Sequence, residues 1–191
     1  TEQVEGKIGY GQKFAGPTET TNAEGTGDFI WADGLFTDAP DDVTVEFWVN
    51  IATDEEDVNM MAIFGYRGGN NANELLLTRA DSLNMLVRGD RILDSDVDAA
   101  TSDWTHIVAV YSSGASKVYQ DGTLQESSTD STDGPRKGGC CFVLGGDIDG
   151  AQKVNNELVG NMDEFRISDT VRSADWVAAS YANQNNPSSF L

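Results

Sequence analysis

The sequence predicts an all-β fold of two stacked antiparallel sheets, with a short helix closing the chain. Short runs of period-two alternation recur along its whole length, and clusters of Gly, Asn, Asp and Pro separate them. Only one stretch, near the C-terminus, spaces its apolar residues as a helix does. At 191 residues the chain suits a single sandwich with a sizeable core, so one domain over residues 1–191 is expected.

The first element is the glycine-spaced stretch from Gly6 to Gly16, which carries Ile8, Tyr10 and Phe14 on one parity, as an opening strand at a sheet edge would. Residues 17–27 are Pro, Thr, Asn, Glu and Gly in the main and read as an exposed loop, after which Asp28-Phe29-Ile30-Trp31 begins a second strand. A turn at Pro40-Asp41-Asp42 introduces the cleanest alternation, with Val43, Val45, Phe47 and Val49 on one face and Thr44, Glu46, Trp48 and Asn50 on the other. Trp48 among polar neighbours has two readings, a sugar-stacking platform or a ring sealing a second layer of the sandwich, and the second is favoured.

Met60 to Tyr66, Glu74 to Thr78, Leu83 to Val87 and Arg91 to Leu93 read as further strands, with a loop from Arg67 to Asn71. The acidic run Asp94-Ser95-Asp96-Val97-Asp98 lacks the sixth-position Gly and the distal Glu of an EF-hand and reads as a surface loop. Trp104 to Tyr111 pairs with Lys117 to Gln120 across Ser112 to Ser116, and Asp121-Gly122 supplies a tight turn. Glu126 to Gly139 is a long exposed loop or a pair of weak edge strands, and Cys140 to Leu144 resumes the sheet. In the following loop Asp147 and Asp149 lie two apart, spaced to chelate a cation or to face water. Leu158 to Ser168 reads as a central strand whose apolar Met162, Phe165 and Ile167 bracket Asp163-Glu164. Ser173 is placed to cap a helix through Trp176, Val177 and Ser180-Tyr181, and Pro187 ends it.

The 12 Lys and Arg against 32 Asp and Glu give a net charge of −20, which opposes binding to nucleic-acid phosphates or anionic lipid. Most of these acids are expected to be solvated surface. No apolar run approaches the roughly 18 residues of a membrane span, so no membrane insertion is expected. The chain opens Thr1-Glu2-Gln3 without a charged and apolar leader, which fits a mature form or a domain cut from a larger protein.

His106 is the only histidine, and spacing assigns it no Ser or Cys as a nucleophilic partner; one His and two adjacent Cys are also a poor zinc set. Cys140-Cys141 leaves two states open, two thiols or a strained ring of adjacent cysteines, with two thiols favoured. Glu46 has no paired carboxylate at the spacing of a glycosidase acid and base. The chain is therefore not expected to be an enzyme.

Four segments in order, GKIGYGQKFAG, VTVEFWVN, WTHIVAVYSSG with KVYQDGTL, and FVLGG through LVGNMDEFRISDTVRSADWVAASY, together resemble the laminin-G-like jelly roll of the concanavalin-A-like lectin and glucanase superfamily. That resemblance implies a convex and a concave sheet in a jelly-roll sandwich. It implies a secreted or cell-surface setting, as in large bacterial and archaeal surface proteins, and a glycan or a surface protein as partner. Two functions follow, a calcium-stabilised, non-catalytic carbohydrate-binding or adhesion module, or a structural or protein-interaction module of a surface fibre without a sugar site.

The resemblance also implies a structural calcium with a ligand at Asp163, completed by the carbonyl of Gly16 and the side chain of Asp28. Physically, a carboxylate set inside an apolar strand requires a cation or hydrogen-bond donors, so the alternative is an Asp163 that accepts backbone N–H bonds. Loop and strand-end placement nominates Trp31, Tyr66, Arg67, Asn70, Arg88, Asp147 and Asp149 as ligand-binding residues.

Overall fold

The computed structural model describes residues 2–16, 27–33, 40–51, 61–68, 73–79, 82–87, 90–95, 97–99, 101–113, 115–129, 138–148 and 154–189. Asn70, Arg88 and Asp149 lie outside them, and of Arg67 only the backbone is described.

A seven-stranded antiparallel sheet runs in the order β1 (Glu2–Glu5), β2 (Tyr10–Ala15), β15 (Val159–Ser168), β4 (Asp42–Asn50), β9 (Thr105–Ser112), β10 (Ala115–Gln120) and β11 (Thr123–Ser128). A six-stranded sheet follows the order β3 (Ile30–Asp33), β12 (Gly138–Leu144), β5 (Met61–Gly68), β6 (Asn73–Arg79), β7 (Leu83–Val87) and β8 (Asp90–Asp94). A small hairpin pairs β13 (Asp147–Ile148) with β14 (Val154–Asn155). The expected opening strand is two strands: Gly6 and Gly9 close a turn, Gly6 N–H to Gly9 carbonyl at 3.1 Å, so β1 takes the edge and β2 moves inside.

The core lies between the sheets. From the seven-stranded sheet come Phe14, Val43, Val45, Phe47, Val49, Ile107, Ala109 and Met162, and from the other Met61, Ile63, Phe64, Leu83, Met85, Leu93, Phe142 and Leu144. The alternation of β4 is thus realised as read, with its even-numbered face turned away from this core.

β15 departs from simple alternation. Met162 and Phe165 both pack toward the core although they differ in parity, because a β-bulge between Asp163 and Arg166 inserts an extra residue opposite β4. Glu164 absorbs it with φ of 51°, a left-handed conformation costing an L-residue roughly 1–2 kcal/mol. The return is contact across the sandwich: the Phe165 ring lies 5.7 Å from Phe142 and 6.3 Å from both Phe47 and Phe64.

The helix is α1 (Ala174–Asn185), and Ser173 caps it as the sequence predicts, its hydroxyl accepting the Trp176 N–H at 3.2 Å. It packs on the outer face of the seven-stranded sheet, where Val177 joins Val108, Val110 and Tyr119. Thr44 fixes the approach to the helix, donating its hydroxyl to the Thr170 carbonyl at 2.7 Å and accepting the Arg172 N–H at 3.1 Å.

Cys141 is disulfide-bonded, and Cys140 is the only other cysteine in the sequence. The two-thiol state favoured from sequence is thereby corrected. Sequence spacing registers only the strain of a ring between adjacent residues.

Candidate functional site

The polar face of β4 organises a cluster of polar and aromatic side chains. Strand alternation points Thr44, Glu46 and Trp48 outward, pairing places Glu46 opposite Val108 and Trp48 opposite His106, and α1 covers them. Glu46 is 2% exposed and His106 is fully buried. One oxygen of Glu46, Oε1, accepts from His106 Nε2 at 2.9 Å, Ser180 Oγ at 2.5 Å and Gln184 Nε2 at 2.9 Å; Arg166 donates to Oε2 at 3.4 Å. Trp48 donates its indole N–H to Gln184 Oε1 at 2.6 Å, and its ring stacks on Tyr181 at 5.8 Å and lies 5.0 Å from His106. Lys7 sits 4.3 Å over the Trp48 ring and bonds Asn185 Oδ1 at 2.7 Å.

Burial works to raise the Glu46 pKa, but the His106 and Ser180 hydrogen bonds and the His106 and Arg166 charges outweigh it and hold the carboxyl below its ordinary range. An ionised carboxylate only accepts, so His106 Nε2 carries a proton. His106 Nδ1 is buried without a partner. Ser, His and Glu are therefore all present, yet Ser180 donates to the carboxylate rather than to an imidazole nitrogen. That is not the serine-to-imidazole order of a catalytic triad. The cluster clamps α1 to the sheet. Trp48, 1% exposed beneath the helix, is no sugar platform.

The residues nominated for a metal fall into two places. Asp163 is 8% exposed; its Oδ1 accepts the Glu164 N–H and its Oδ2 the Ile8 N–H, both at 2.8 Å. A Cβ on Gly6 would stand 2.5 Å from Asp163 Oδ2, so the β1–β2 turn closes directly onto this carboxylate. Gly16 lies beside Leu158 and Val159, at the other end of β2 and roughly 16 Å away at 3.3 Å per strand residue. The expectation of one shell containing Asp163, Asp28 and Gly16 is corrected by that separation.

Asp28 does reach the chain beside Gly16. Ala15 donates its N–H to Asp28 Oδ2 at 3.1 Å, and a Cβ on Gly27 would lie 2.6 Å from the Gly16 carbonyl oxygen and 2.8 Å from Glu157 Cβ. Glu157, buried, accepts the Gly27 N–H at 3.4 Å. A carbonyl and two carboxylates are the all-oxygen chemistry that suits calcium, and Glu157 is a member the sequence did not nominate. Among the described residues no group of three or more His, Cys, Asp or Glu side chains is positioned for a metal, so other oxygens would have to complete any shell here.

Of the ligand-binding nominees, Tyr66 is buried in the inter-sheet core, where bulges in the β5–β6 pairing aim it inward; this corrects its nomination. Asp147 is buried at the start of β13, its Oδ1 accepting the Ile148 N–H at 2.5 Å, rather than facing water. Trp31 is 37% exposed on β3, with its indole N–H donated to Asp33 Oδ1 at 2.7 Å. Sequence reasoning missed Ser180, Gln184 and Asp33. A Ser and a Gln at i and i+4 on the helix face shared with Val177 and Tyr181 were the legible sign of a polar anchor.

A family model described as Laminin_G_3, concanavalin A-like lectin/glucanases superfamily, matches residues 23–178. Among curated proteins none matches the sequence. Similar solved structures include a heptameric SAP-like pentraxin from Limulus polyphemus, at 17% identity and a TM-score of 0.65, covering 88% of this chain and 81% of that one. Domain 4 of a GH43 extracellular arabinanase from Geobacillus stearothermophilus, in complex with arabinotriose, is 20% identical with a TM-score of 0.62, covering 93% of this chain and 79% of that one. The binding domain of botulinum neurotoxin serotype D is 17% identical with a TM-score of 0.59, covering 85% of this chain; the chain spans 42% of that structure.

Proposed function

This chain belongs to the concanavalin A-like lectin/glucanases superfamily, and we propose that within it the protein is a non-catalytic carbohydrate-binding or adhesion module of a secreted or cell-surface protein, stabilised by calcium. The observation that carries the reading is the domain-scale likeness to the arabinanase domain 4, whose structure holds a trisaccharide. At that identity the likeness is one of fold, and the rest of the argument comes from this chain's own chemistry.

The burial of Glu46 supports binding over hydrolysis. A glycosidase needs an acid and a base flanking an accessible sugar, whereas Glu46 is sealed under α1 with Oε1 accepting three hydrogen bonds. Calcium would be held by the Gly16 carbonyl and Asp28 with Glu157 beside them, and would supply charge that neutralises the paired carboxylates. Asp163 instead anchors the β1–β2 turn through backbone N–H groups. A second reading, a protein-interaction module of a surface fibre, has support in β11, whose exposed residues form the last strand of the larger sheet among the described residues.

The test is a glycan-array screen in calcium and again in chelator, with thermal unfolding on the same samples. Glycan binding, with a Tm lowered by chelator, supports the reading in full. Calcium-dependent stability without any glycan bound moves the function to protein interaction, and a Tm indifferent to chelator removes the metal.

A further inference from the structure

We propose that Trp31 and Asp33, on the outer face of β3, form the primary subsite for one uncharged sugar ring. The inference rests on the carbohydrate-binding reading and gives it a location and a ligand class.

β3 is the edge strand of the six-stranded sheet, and its register against β12 pairs Trp31 with Val143 and Asp33 with Cys141. Val143 and Cys141 belong to the cluster with Ile148, Val154 and Phe29, separate from the inter-sheet core, so Trp31 and Asp33 occupy the outer face. The four tryptophans differ in what occupies them. Trp48 lies beneath α1, Trp176 carries the Arg172 guanidinium 4.7 Å over its ring, and Trp104 is half-buried. Trp31 is the exposed one, and among the described residues its ring has no aromatic or cationic partner.

Its single polar group is already satisfied by Asp33 Oδ1. That bond fixes the indole plane before any ligand arrives and leaves its apolar face to meet the C–H face of a pyranose or furanose, so little side-chain entropy remains to be lost on binding. The second oxygen of Asp33 has no partner among the described residues and stands beside the ring as a charged acceptor for sugar hydroxyls. An aromatic face with an adjacent carboxylate reads a polyol by both its surfaces. The net charge of −20 sets the ligand class: sialylated, sulfated or uronic-acid rings are repelled, and neutral rings are not. Tyr10 is more exposed still, at 72%, but its side chain lies on the other sheet, and among the described residues no hydrogen bond orients it.

The experiment uses the whole chain against immobilised neutral gluco-, galacto-, manno- and arabino-oligosaccharides and sialylated or sulfated counterparts, at physiological salt. Trp31→Ala and Asp33→Asn should each weaken the best neutral ligand about tenfold or more, whereas Trp31→Phe should retain most affinity and Tyr10→Ala all of it. The indole N–H resonance that disappears in Trp31→Phe should shift when that ligand is added to the wild type, which tests the site without a destabilising variant. A wild type that binds neutral glycans with no shift of that resonance, or with undiminished affinity in Trp31→Ala, overturns this site and leaves the carbohydrate-binding reading standing. A preference for anionic glycans overturns the ligand class. A wild type that binds no glycan overturns both the site and the reading beneath it.

Discussion

Replacing Glu46 with Ala removes the acceptor on which α1 is held. His106, Ser180 and Gln184 all donate to its Oε1. Ser180 and Gln184 retain each other, with Gln184 Nε2 2.9 Å from Ser180 Oγ, and Trp48 keeps its bond to Gln184 Oε1. His106 keeps nothing: its Nδ1 already lacks a partner, so a fully buried imidazole loses its one hydrogen bond. An orphaned buried donor costs about 1–3 kcal/mol, and each hydrogen bond lost to a charged acceptor about 1.5–3 kcal/mol. The half-exposed Arg166 contact adds little. A loss of about 3–5 kcal/mol, at roughly 2–4 °C per kcal/mol for a chain of this size, lowers Tm by about 10 °C. Circular dichroism melts and urea titrations measure the loss, and amide exchange in α1 locates it. A Tm within about 2 °C of wild type, with α1 amides still protected, would refute the anchoring role derived from this geometry.

Acid should act on the same carboxylate. Its folded pKa lies below the unfolded value of about 4.3, so the anchor contributes fully above that pH and is lost as pH falls through the lower folded value. Wild type should therefore lose stability steeply below about pH 4.3, while Glu46→Ala loses less over the same range; parallel profiles would contradict it. Asp163→Ala orphans the N–H groups of Ile8 and Glu164 and should cost about 1–3 kcal/mol, with faster exchange of the Ile8 amide as the local readout. Gly145→Ala places a Cβ 2.3 Å from the Phe14 ring at φ of 81°, and should destabilise by about 2–4 kcal/mol in chemical denaturation, whereas Gly9→Ala, which meets nothing within 4 Å, should cost about 1–2 kcal/mol through its positive φ alone. Alkylation without reductant should leave Cys141 unlabelled, and reduction should expose it to the reagent.

Much of the fold was legible because period-two alternation records which residues share a face. Val43, Val45, Phe47 and Val49 announce the core side of β4, Ser173 announces the start of α1, and Asp121-Gly122 announces the turn into β11. The bulge in β15 is not read from the sequence, where Leu158 to Ser168 is a plain central strand; it shows in the pairing with β4 and in the contact of Phe165 with Phe64 and Phe142 across the sandwich. The candidate sites were less legible. Glu46 and His106 lie 60 residues apart and meet only because β4 and β9 pair in one register. The jelly-roll resemblance puts Asp163 and Gly16 in one shell, whereas antiparallel pairing sets them at opposite ends of β2.

The sequence by itself determined the class of the fold, the core face of β4 and the acidic surface, since these depend on local periodicity and composition. Only the tertiary structure decided that the polar face of β4 is buried, that Asp163 is answered by backbone N–H groups, and that Trp31 alone of the four tryptophans is left exposed beside a carboxylate. A side chain's partners are fixed by register and by what packs over the strand, and both depend on residues far away in the chain.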